Sequence, residues 1–386
     1  MKIKYFNTIV LLTIMFFVNG LSQQFKLYVT VKNPASFDRK NETIVLRWDD
    51  LKKKSRWLDS TRVIVFDSKC KSELVTQTFS DEFLFQSDFK PHETKTFVLS
   101  NSASLKSSPE SIVDVKFVIP REDVAWENDR IAYRIYGSKL AGDVRNGIDV
   151  WVKRVRYHII DNWYRGDSLK GSKRISYHVD HGEGADMFNV GKSLGAGGCA
   201  LWKDSILHQT GLFTSHKIIA TGPIRTVFTV CYDRDSVDGQ PFTEEKTYTL
   251  DAGENLNRVN VRYYNIEKNG QMSIAAGLVK RKNTFRYENQ KQGWLSLWGL
   301  ADDDSTNGFI GTGVVFPPAS FPQMKEDKDH YLMIGLTSAD KQFTYYAGAC
   351  WTRSGDFNGV EDWNNYLNKF SLRQQTPLRI TISNKK

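Results

Sequence analysis

The sequence is short of the residues that mark disordered, collagen-like or disulfide-rich chains. Its 386 residues include 10 prolines, 27 glycines and 4 cysteines, whereas aromatic residues reach 13%. Disordered segments are poor in aromatic residues, and collagen-like chains need glycine at every third position. The cysteines lie far apart and match no zinc-binding spacing. These shortages favour a globular protein, in which buried free thiols are at least as plausible as disulfides.

Long apolar runs are also missing beyond the first residues. No later stretch approaches the ~18 apolar residues that a spanning helix needs. The apolar run at residues 9–18 follows Lys2 and Lys4 and precedes small residues suited to cleavage. This order predicts a signal peptide over residues 1–22 and an exported protein, periplasmic or secreted, without membrane insertion.

Positive charge exceeds negative charge, but it forms no basic block. The formal net charge is +9, and no run of five consecutive Lys or Arg residues occurs. The missing block argues against a nucleic-acid partner. Basic residues scattered among aromatic ones favour an acidic oligosaccharide as the partner. The oligomeric state stays open at this stage.

The hydrophobic pattern predicts a mostly β protein. Alternating segments such as 224–232, 242–250 and 257–264 are typical of strands, whereas a helical pattern is clearest at 360–370. The regular βα alternation of an α/β fold is missing. We therefore predict a small β-sandwich module at residues 23–112, followed by a large antiparallel sandwich or barrel at residues 113–386.

The segment 126–136 combines basic and aromatic residues in an alternating pattern. As one unbroken strand, it would direct Ile131, Tyr133 and Ile135 towards the core. The opposite face would carry the remaining side chains of interest: Trp126, Asn128, Arg130, Arg134 and Tyr136. Such a face suits a carboxylate-bearing sugar, because aromatic rings stack on it and guanidinium groups bind it bidentately. The alternative is a solvated outer face that arginine stems merely cover.

The segment 177–186 places two histidines and three acidic residues beside glycines, and it is predicted to be a loop. Imidazole and carboxylate together can form an acid–base pair or a metal site. The spacing is not that of a helical His-Glu-x-x-His pair, which excludes that zinc-protease motif. We favour no cofactor and no metal, with a divalent ion in this loop as the alternative. A loop tied by its own Asp–His hydrogen bonds is a further alternative.

Two other motifs are excluded. The glycines at 191–198 lack the spacing of a phosphate-binding loop, because Asp186 occupies the position of the first required glycine. Residues 191–195 match the Gly-x-Ser-x-Gly pattern by residue type, but they lack the strand–turn–helix setting of a nucleophile elbow in this mostly β chain, which argues against a serine esterase. Paired carboxylates of a glycosidase stay open, because sequence gives no separation between them.

Several blocks of the central third resemble a bacterial family of exported proteins catalogued as a domain of unknown function. The matching blocks are 117–120, 125–130, 136–137, 161–164, 177–186, 190–198 and 222–225, with a looser match at 348–351. That family sits among carbohydrate-degrading proteins and includes an oligosaccharide dehydratase acting on ulvan, a sulfated, uronate-containing algal polysaccharide. The resemblance implies a β-supersandwich like that of mutarotase-like and polysaccharide-lyase domains.

The resemblance also implies a reaction: loss of water from a saturated uronic acid at the non-reducing end, giving a 4,5-unsaturated uronyl end. Two other functions stay open. A polysaccharide lyase would abstract the same C5 proton but expel a glycosidic oxygen. A non-catalytic module would only bind acidic glycans.

The chemistry of such an elimination assigns candidate roles to residue types. The uronate carboxylate must be neutralised, for which Arg130 and Arg134, helped by Asn128, are the candidates. His181 or His208 is the candidate base. The candidate proton donors to the leaving hydroxyl are Tyr136, Tyr164 and His178. The remaining substrate-binding candidates are Trp126 and Trp163 for stacking, and Lys192, Arg165 and Arg225 for a sulfate or a second uronate.

Overall fold

The structure, a computed structural model, describes residues 26–104, 109–119, 121–237, 239–264, 271–317, 322–338 and 342–384. The predicted signal peptide at residues 1–22 lies outside the described residues. Antiparallel strands dominate the remainder, so the predicted fold class is confirmed. Within the described ranges, the helices lack the combination of length and apolar character needed to cross a bilayer.

The N-terminal module is a sandwich of two sheets. Its strands are β1 (Leu27–Lys32), β2 (Arg39–Arg47), β3 (Val63–Asp67), β4 (Glu73–Leu74), β5 (Thr76–Phe79), β6 (Glu82–Phe89) and β7 (Thr94–Asn101), together with the short helix α1 (Trp48–Lys54). The order of the smaller sheet is β2-β6-β5. Alternate residues of β1 are buried, and Phe83, Phe85 and Phe97 fill the space between the sheets.

The last described strand, β26 (Arg379–Ser383), completes the larger sheet of this module, whose order is β26-β1-β7-β3-β4. It pairs with β1 in antiparallel register, with Tyr28 opposite Ser383. The prediction that residues 113–386 form one continuous region is therefore wrong at its end. The final strand belongs to the N-terminal module because its pairing partner is β1.

A further sheet, which we call the site sheet, follows the module. Its strands are β8 (Asp114–Val118), β9 (Asp123–Glu127), β10 (Ile131–Ile135), β11 (Asp149–Lys153) and β12 (Gly184–Asp186), in the order β12-β11-β10-β9-β8. Helix α2 (Ile160–Ser168) packs against it through Trp163, which stacks on Trp151.

The rest of the chain forms the large sandwich. Its strands are β13 (Ala196–Lys203), β14 (Ile206–His208), β15 (Ser215–Thr221), β16 (Arg225–Val237), β17 (Gln240–Asp251), β18 (Leu256–Tyr264), β19 (Gln271–Val279), β20 (Thr284–Asn289), β21 (Trp294–Leu300), β22 (Phe309–Val315), β23 (Gln323–Glu326), β24 (His330–Ser338) and β25 (Phe343–Trp351). An eight-stranded sheet, β15-β16-β17-β18-β25-β22-β21-β20, packs on a five-stranded sheet, β14-β13-β19-β24-β23. The same hydrophobic cluster includes the core face of the site sheet, so the three sheets share one core.

Helix α3 (Val360–Gln375) covers part of the eight-stranded sheet and extends the predicted helix by five residues. Its buried face includes Trp363, Leu367 and Phe370, which pack against Trp294 and Trp298. All four cysteines are free thiols, and two of them, Cys199 and Cys350, are buried.

Candidate functional site

The segment 126–136 is a hairpin rather than one strand. Strand β9 ends at Glu127 and β10 begins at Ile131, with Trp126 paired opposite Tyr133. The predicted face of alternating residues is therefore wrong, because the chain reverses at residues 128–130. The core assignment within β10 is confirmed, since Ile131, Tyr133 and Ile135 belong to the shared core.

Arg134 lies on the opposite face of β10, where three neighbouring strands bring carboxylates to it. Asp149 on β11 is directly opposite Arg134 in the register. Asp186 lies at the end of β12, and Asp123 at the start of β9. Because a cationic side chain is almost never fully buried without partners, this position depends on all three strands.

The guanidinium of Arg134 is fully engaged by this cluster. Its Nε and Nη2 donate to Asp149 Oδ2 at 2.9 and 2.6 Å, and Nη2 also donates to Asp186 Oδ2 at 2.9 Å. Nη1 lies 3.7 Å from Asp123 Oδ2. None of the four side chains is more than 6% exposed. We call Arg134, Asp123, Asp149 and Asp186 the carboxylate–arginine cluster.

Aromatic rings surround the same guanidinium. Its carbon lies 4.9 Å from the ring centre of Tyr136, 5.1 Å from that of Trp151 and 5.7 Å from that of Tyr177. Tyr164, from α2, donates from its hydroxyl to Asp123 Oδ2 at 3.1 Å. These contacts fix the arginine by stacking and by cation–π attraction.

Burial shifts the proton equilibria of the cluster. Burial and then the charge of Asp149 raise the pKa of Asp186 well above its ordinary range. Burial also raises the pKa of Asp123, against the opposing effect of Arg134. The pKa of the Tyr136 phenol is raised by burial and by Asp149, which keeps this hydroxyl protonated at neutral pH.

A cavity of about 470 Å³ opens beside the cluster, which is within the usual size range of small-ligand sites. Its polar lining consists of Arg121, Arg134, Tyr136, Asp143, Tyr177, His178, Asp186, Asn189 and Asp302. Its apolar lining consists of Leu140, Val144, Met187, Phe188 and Val190, beside Gly191. The cavity is therefore lined by both titratable and apolar side chains.

The loop at 177–186 brings His178 to the mouth of this cavity. The Asp186 N–H donates to the Tyr177 carbonyl at 2.8 Å and closes the loop. His178 Nδ1 lies 3.3 Å from the Asp186 carbonyl oxygen and 3.5 Å from Asp186 Oδ2, while its side chain is 56% exposed. An imidazole and a buried carboxyl thus face the same space.

Arg121 supplies the accessible cation of the cavity. Its Nη2 donates to Asp167 Oδ2 at 2.8 Å, and its side chain is 38% exposed. Asp167, on α2, is held from its other side by two nitrogens of Arg174. Unlike Arg134, Arg121 keeps part of its guanidinium available to a ligand.

The position of Asp186 depends on Gly184, two residues earlier on β12. Gly184 has a φ of +121°, and a Cβ there would lie 1.9 Å from the Val152 carbonyl oxygen. We expect Gly184→Ala to lower the free energy of unfolding by more than the ~1–3 kcal/mol of a strained backbone alone. Gly182→Ala is the matched control, because its φ is +102° but its Cβ would meet no atom within 4 Å. Equal losses in chemical denaturation would contradict the steric argument.

Four predicted catalytic residues come together here: Arg134, Tyr136, Tyr164 and His178. The predicted role of Arg134 is wrong, because a guanidinium held by buried carboxylates does not bind a substrate carboxylate. Lys192 is exposed and follows Gly191 at the cavity wall. Its predicted role as an anion contact stays a prediction.

The other two candidate histidines lie elsewhere. His181 is exposed and lines a separate groove of about 140 Å³ beside α2. His208 lies on β14, opposite Leu201 of the five-stranded sheet. Neither belongs to the described lining of the larger cavity, so the structure does not bring them together with Arg134, and their role as bases stays a prediction.

The residues around the hairpin turn are structural. Trp126 is fully buried, and its indole donates to Asn257 Oδ1 at 2.6 Å, so it offers no stacking surface. Asn128 uses its amide to donate to the carbonyls of Asp251 and Glu254. Arg130 is paired with Asp129 and Asp356. The substrate-binding predictions for Trp126 and Asn128 are wrong because both are fully buried. That for Arg130, which is partly exposed, stays a prediction.

Three further substrate-binding candidates also lie outside the larger cavity. Trp163 is buried in the stack on Trp151 and lines only the small groove. Arg165 lies on the exposed side of α2 and contacts Asn162. Arg225 is buried and bonded to Asp251 and to Glu82 of β6, so it joins the N-terminal module to the large sandwich.

Sequence reasoning missed Arg121, Asp123 and Asp149, and it marked the segment that contains Tyr177 and Asp186 without assigning either residue a role. The unusual density of His and acidic residues at 177–186 was the available signal, and the pair it indicated is His178 with Asp186. Over the part of the chain that the structure describes, no three His, Cys, Asp or Glu side chains are arranged to hold a metal ion.

Two sequence comparisons match most of the chain. The family described as "Domain of unknown function (DUF4861)" matches residues 31–380. "Uncharacterized protein P7" of Formosa agariphila is 32% identical over 384 residues, covering 92% of this chain and 93% of that protein.

Two solved structures of Enterococcus faecalis proteins resemble the fold at a distance. One is a protein in glycosyl hydrolase family 38, with a TM-score of 0.49 and 9% identity, and the other is an alpha-mannosidase, with a TM-score of 0.46 and 8% identity. Each alignment covers 93% of this chain, but this chain spans only 47% and 46% of theirs.

Proposed function

Because this chain belongs to the DUF4861 family, and the matched region 31–380 includes the whole cavity, we propose that it is a carbohydrate-active dehydratase. It removes water from the uronic acid at the non-reducing end of acidic, ulvan-type oligosaccharides and leaves a 4,5-unsaturated uronyl end. The observation that carries this proposal is the pairing of His178 with Asp186 at the mouth of a cavity that also contains Arg121. The predicted signal peptide assigns the activity to the periplasm or the medium.

Arg121 is the group that binds the uronate carboxylate. Abstraction of the C5 proton is slow unless the negative charge that develops next to it is stabilised. Arg134 is already neutralised by Asp149 and Asp186, whereas Arg121 contacts Asp167 through Nη2 and is partly exposed. A guanidinium binds a carboxylate through two parallel hydrogen bonds, which would also orient the sugar ring.

His178 is the base that takes the C5 proton. Histidine is the side chain that most often serves as a general base, and this one is exposed at the cavity mouth. The apolar wall of Met187 and Phe188 supports packing of the less polar face of a sugar ring. Tyr136 and Tyr177 supply protonated phenols for hydrogen bonds to the sugar hydroxyls.

The direct test is incubation with ulvan oligosaccharides that carry a saturated uronate at the non-reducing end. We expect an absorbance band from the new conjugated double bond and a product lighter by one water, with the chain length unchanged. Two shorter chains would identify a lyase instead. Binding without any change in mass would identify a glycan-binding protein.

Arg121→Ala tests the carboxylate contact. A hydrogen bond to a charged group contributes about 1.5–3 kcal/mol, so kcat/KM should fall by about tenfold to a hundredfold. Arg165→Ala is the control, because Arg165 lies on the exposed side of α2 and outside the cavity. An oligosaccharide whose uronate is reduced to its neutral alcohol lacks the activating carboxylate and should be turned over by neither protein, but it should bind equally well to Arg121→Ala and to the wild type. An Arg121→Ala variant with unchanged kcat/KM on the uronate would reject this role.

A further inference from the structure

The carboxylate–arginine cluster contains more negative charge than its single guanidinium can balance. If Asp123, Asp149 and Asp186 were all ionised, three buried negative charges would face one positive charge. The other titratable groups that face the cluster are His178 and the phenols of Tyr136, Tyr164 and Tyr177. Buried carboxylates that share a site do not all ionise, so the cluster holds a proton at neutral pH.

Hydrogen bonding separates Asp149 from the other two carboxyls. Asp149 accepts two N–H groups from Arg134 and a third from the Val150 backbone at 2.9 Å. Asp123 accepts the Gly137 N–H at 3.2 Å and the Tyr164 hydroxyl at 3.1 Å. Hydrogen bonds donated to a carboxylate favour its charged form. Asp186 accepts one N–H from Arg134, at 2.9 Å, and the Phe188 N–H also favours its charged form. The number of donors therefore leaves Asp123 and Asp186 alike, and access to the cavity separates them.

Of the three carboxyls, only Asp186 lines the cavity, whereas the side chains of Asp123 and Asp149 are fully buried and outside its lining. Burial raises its pKa well above the ordinary range, in agreement with the charge argument. A neutral carboxyl that faces a cavity at neutral pH is a proton donor.

We propose that Asp186 is the general acid of this site and delivers its proton to the C4 hydroxyl as that group leaves. This inference rests on the proposed function for its substrate, but the protonated state of Asp186 does not depend on it. In the step, His178 removes the C5 proton, and the electron pair of the C5–H bond forms the C4=C5 double bond. The C4–O bond breaks, and its electron pair stays on the oxygen, which takes the proton of Asp186 and leaves as water.

The same geometry allows the proton to pass from His178 back to Asp186. After the step, His178 is protonated and Asp186 is a carboxylate, with Nδ1 and Oδ2 only 3.5 Å apart. Transfer of the proton from the imidazole to Asp186 restores both groups without another reactant. The proton taken from C5 therefore becomes the one that protonates the next leaving group.

Asp186→Asn is the sharpest variant, because an amide has the size and neutral charge of the protonated acid but does not release a proton. We expect the melting temperature to stay at or above that of the wild type. Loss of a general acid should lower kcat for water elimination by about 10²–10⁴-fold. Asp161→Asn, on the exposed side of α2, is the control and should change neither quantity.

A substrate with fluoride at C4 separates catalysis from structure, because fluoride leaves with less need of a proton. The Asp186→Asn variant should eliminate fluoride nearly as fast as the wild type does. Equal slowing of water and fluoride elimination would overturn the assignment, and so would unchanged elimination of water.

An infrared difference spectrum between the wild type and Asp186→Asn at neutral pH tests the inference without any substrate. We expect a band of a protonated carboxyl in the wild type that the variant lacks. Its absence would overturn the acid role whatever the activity. Its presence together with no turnover of any uronate would instead reject the proposed function and leave Asp186 as the proton-holding group of the site.

Discussion

Replacing Arg134 with methionine should lower the free energy of unfolding by about 3–5 kcal/mol, the usual cost of leaving a buried charge without its partner. The methionine fills much of the space, but Asp149 loses two hydrogen bonds and Asp186 loses one. Urea denaturation of the variant and the wild type measures the difference. Arg165→Met is the control and should change stability little, since this arginine is exposed on α2.

The loss caused by Arg134→Met should depend on pH with a definite sign. The pKa values of Asp123 and Asp186 already lie above the ordinary 3.8 in the folded protein. A carboxyl with a raised pKa stabilises the folded state fully below its ordinary pKa, and this contribution is lost as pH rises through the raised value. Without the guanidinium both pKa values rise further, so the deficit should shrink as the pH is lowered from neutral towards 4. A deficit that is small and independent of pH would show that the cluster is not electrostatically coupled.

Replacing His178 with alanine should lower kcat on a saturated uronate by about 10²–10⁴-fold, the range for loss of a general base. The side chain is exposed, so the fold and the melting temperature should be retained. His181→Ala is a control in the same loop, because His181 lines the small groove rather than the cavity.

The fate of the C5 proton gives a second measurement for His178. Wild-type protein should exchange the C5 hydrogen with deuterium from solvent whenever proton removal is reversible, and His178→Ala should not. A variant that retains both turnover and exchange would require another base.

The strands of the large sandwich could be predicted because the alternation of polar and apolar residues within each segment indicates a strand. The segment 257–264 was predicted from its alternation, and β18 has almost the same bounds. The turn before β10 was not recognised, although Asn128 and Asp129 are common turn residues. Asn128 Oδ1 accepts the N–H groups of Arg130 and Ile131, a local hydrogen-bond pattern that reverses the chain where alternation alone continues it.

The site was only partly predictable, since its members come from separate strands. His178 and Asp186 are close in sequence, and their density marked the loop that contains them. Arg134 was expected to be exposed because charge normally is. Its burial depends on Asp123, Asp149 and Asp186, which reach it through the register of β9, β11 and β12. Residue types alone do not give that register, nor do they show which histidine faces the cavity.

The pairing of β26 with β1 has a consequence for how the protein is made. Tyr28 is synthesised long before its partner Ser383, so the edge of β1 that later pairs with β26 stays open while the rest of the chain is translated. At about 5–20 residues per second, that interval lasts roughly tens of seconds. An open strand edge is a template for wrong pairing with other chains, and a nascent chain therefore needs protection there. The N-terminal module is synthesised first, but its larger sheet can be completed only after the final strand, β26, has been made.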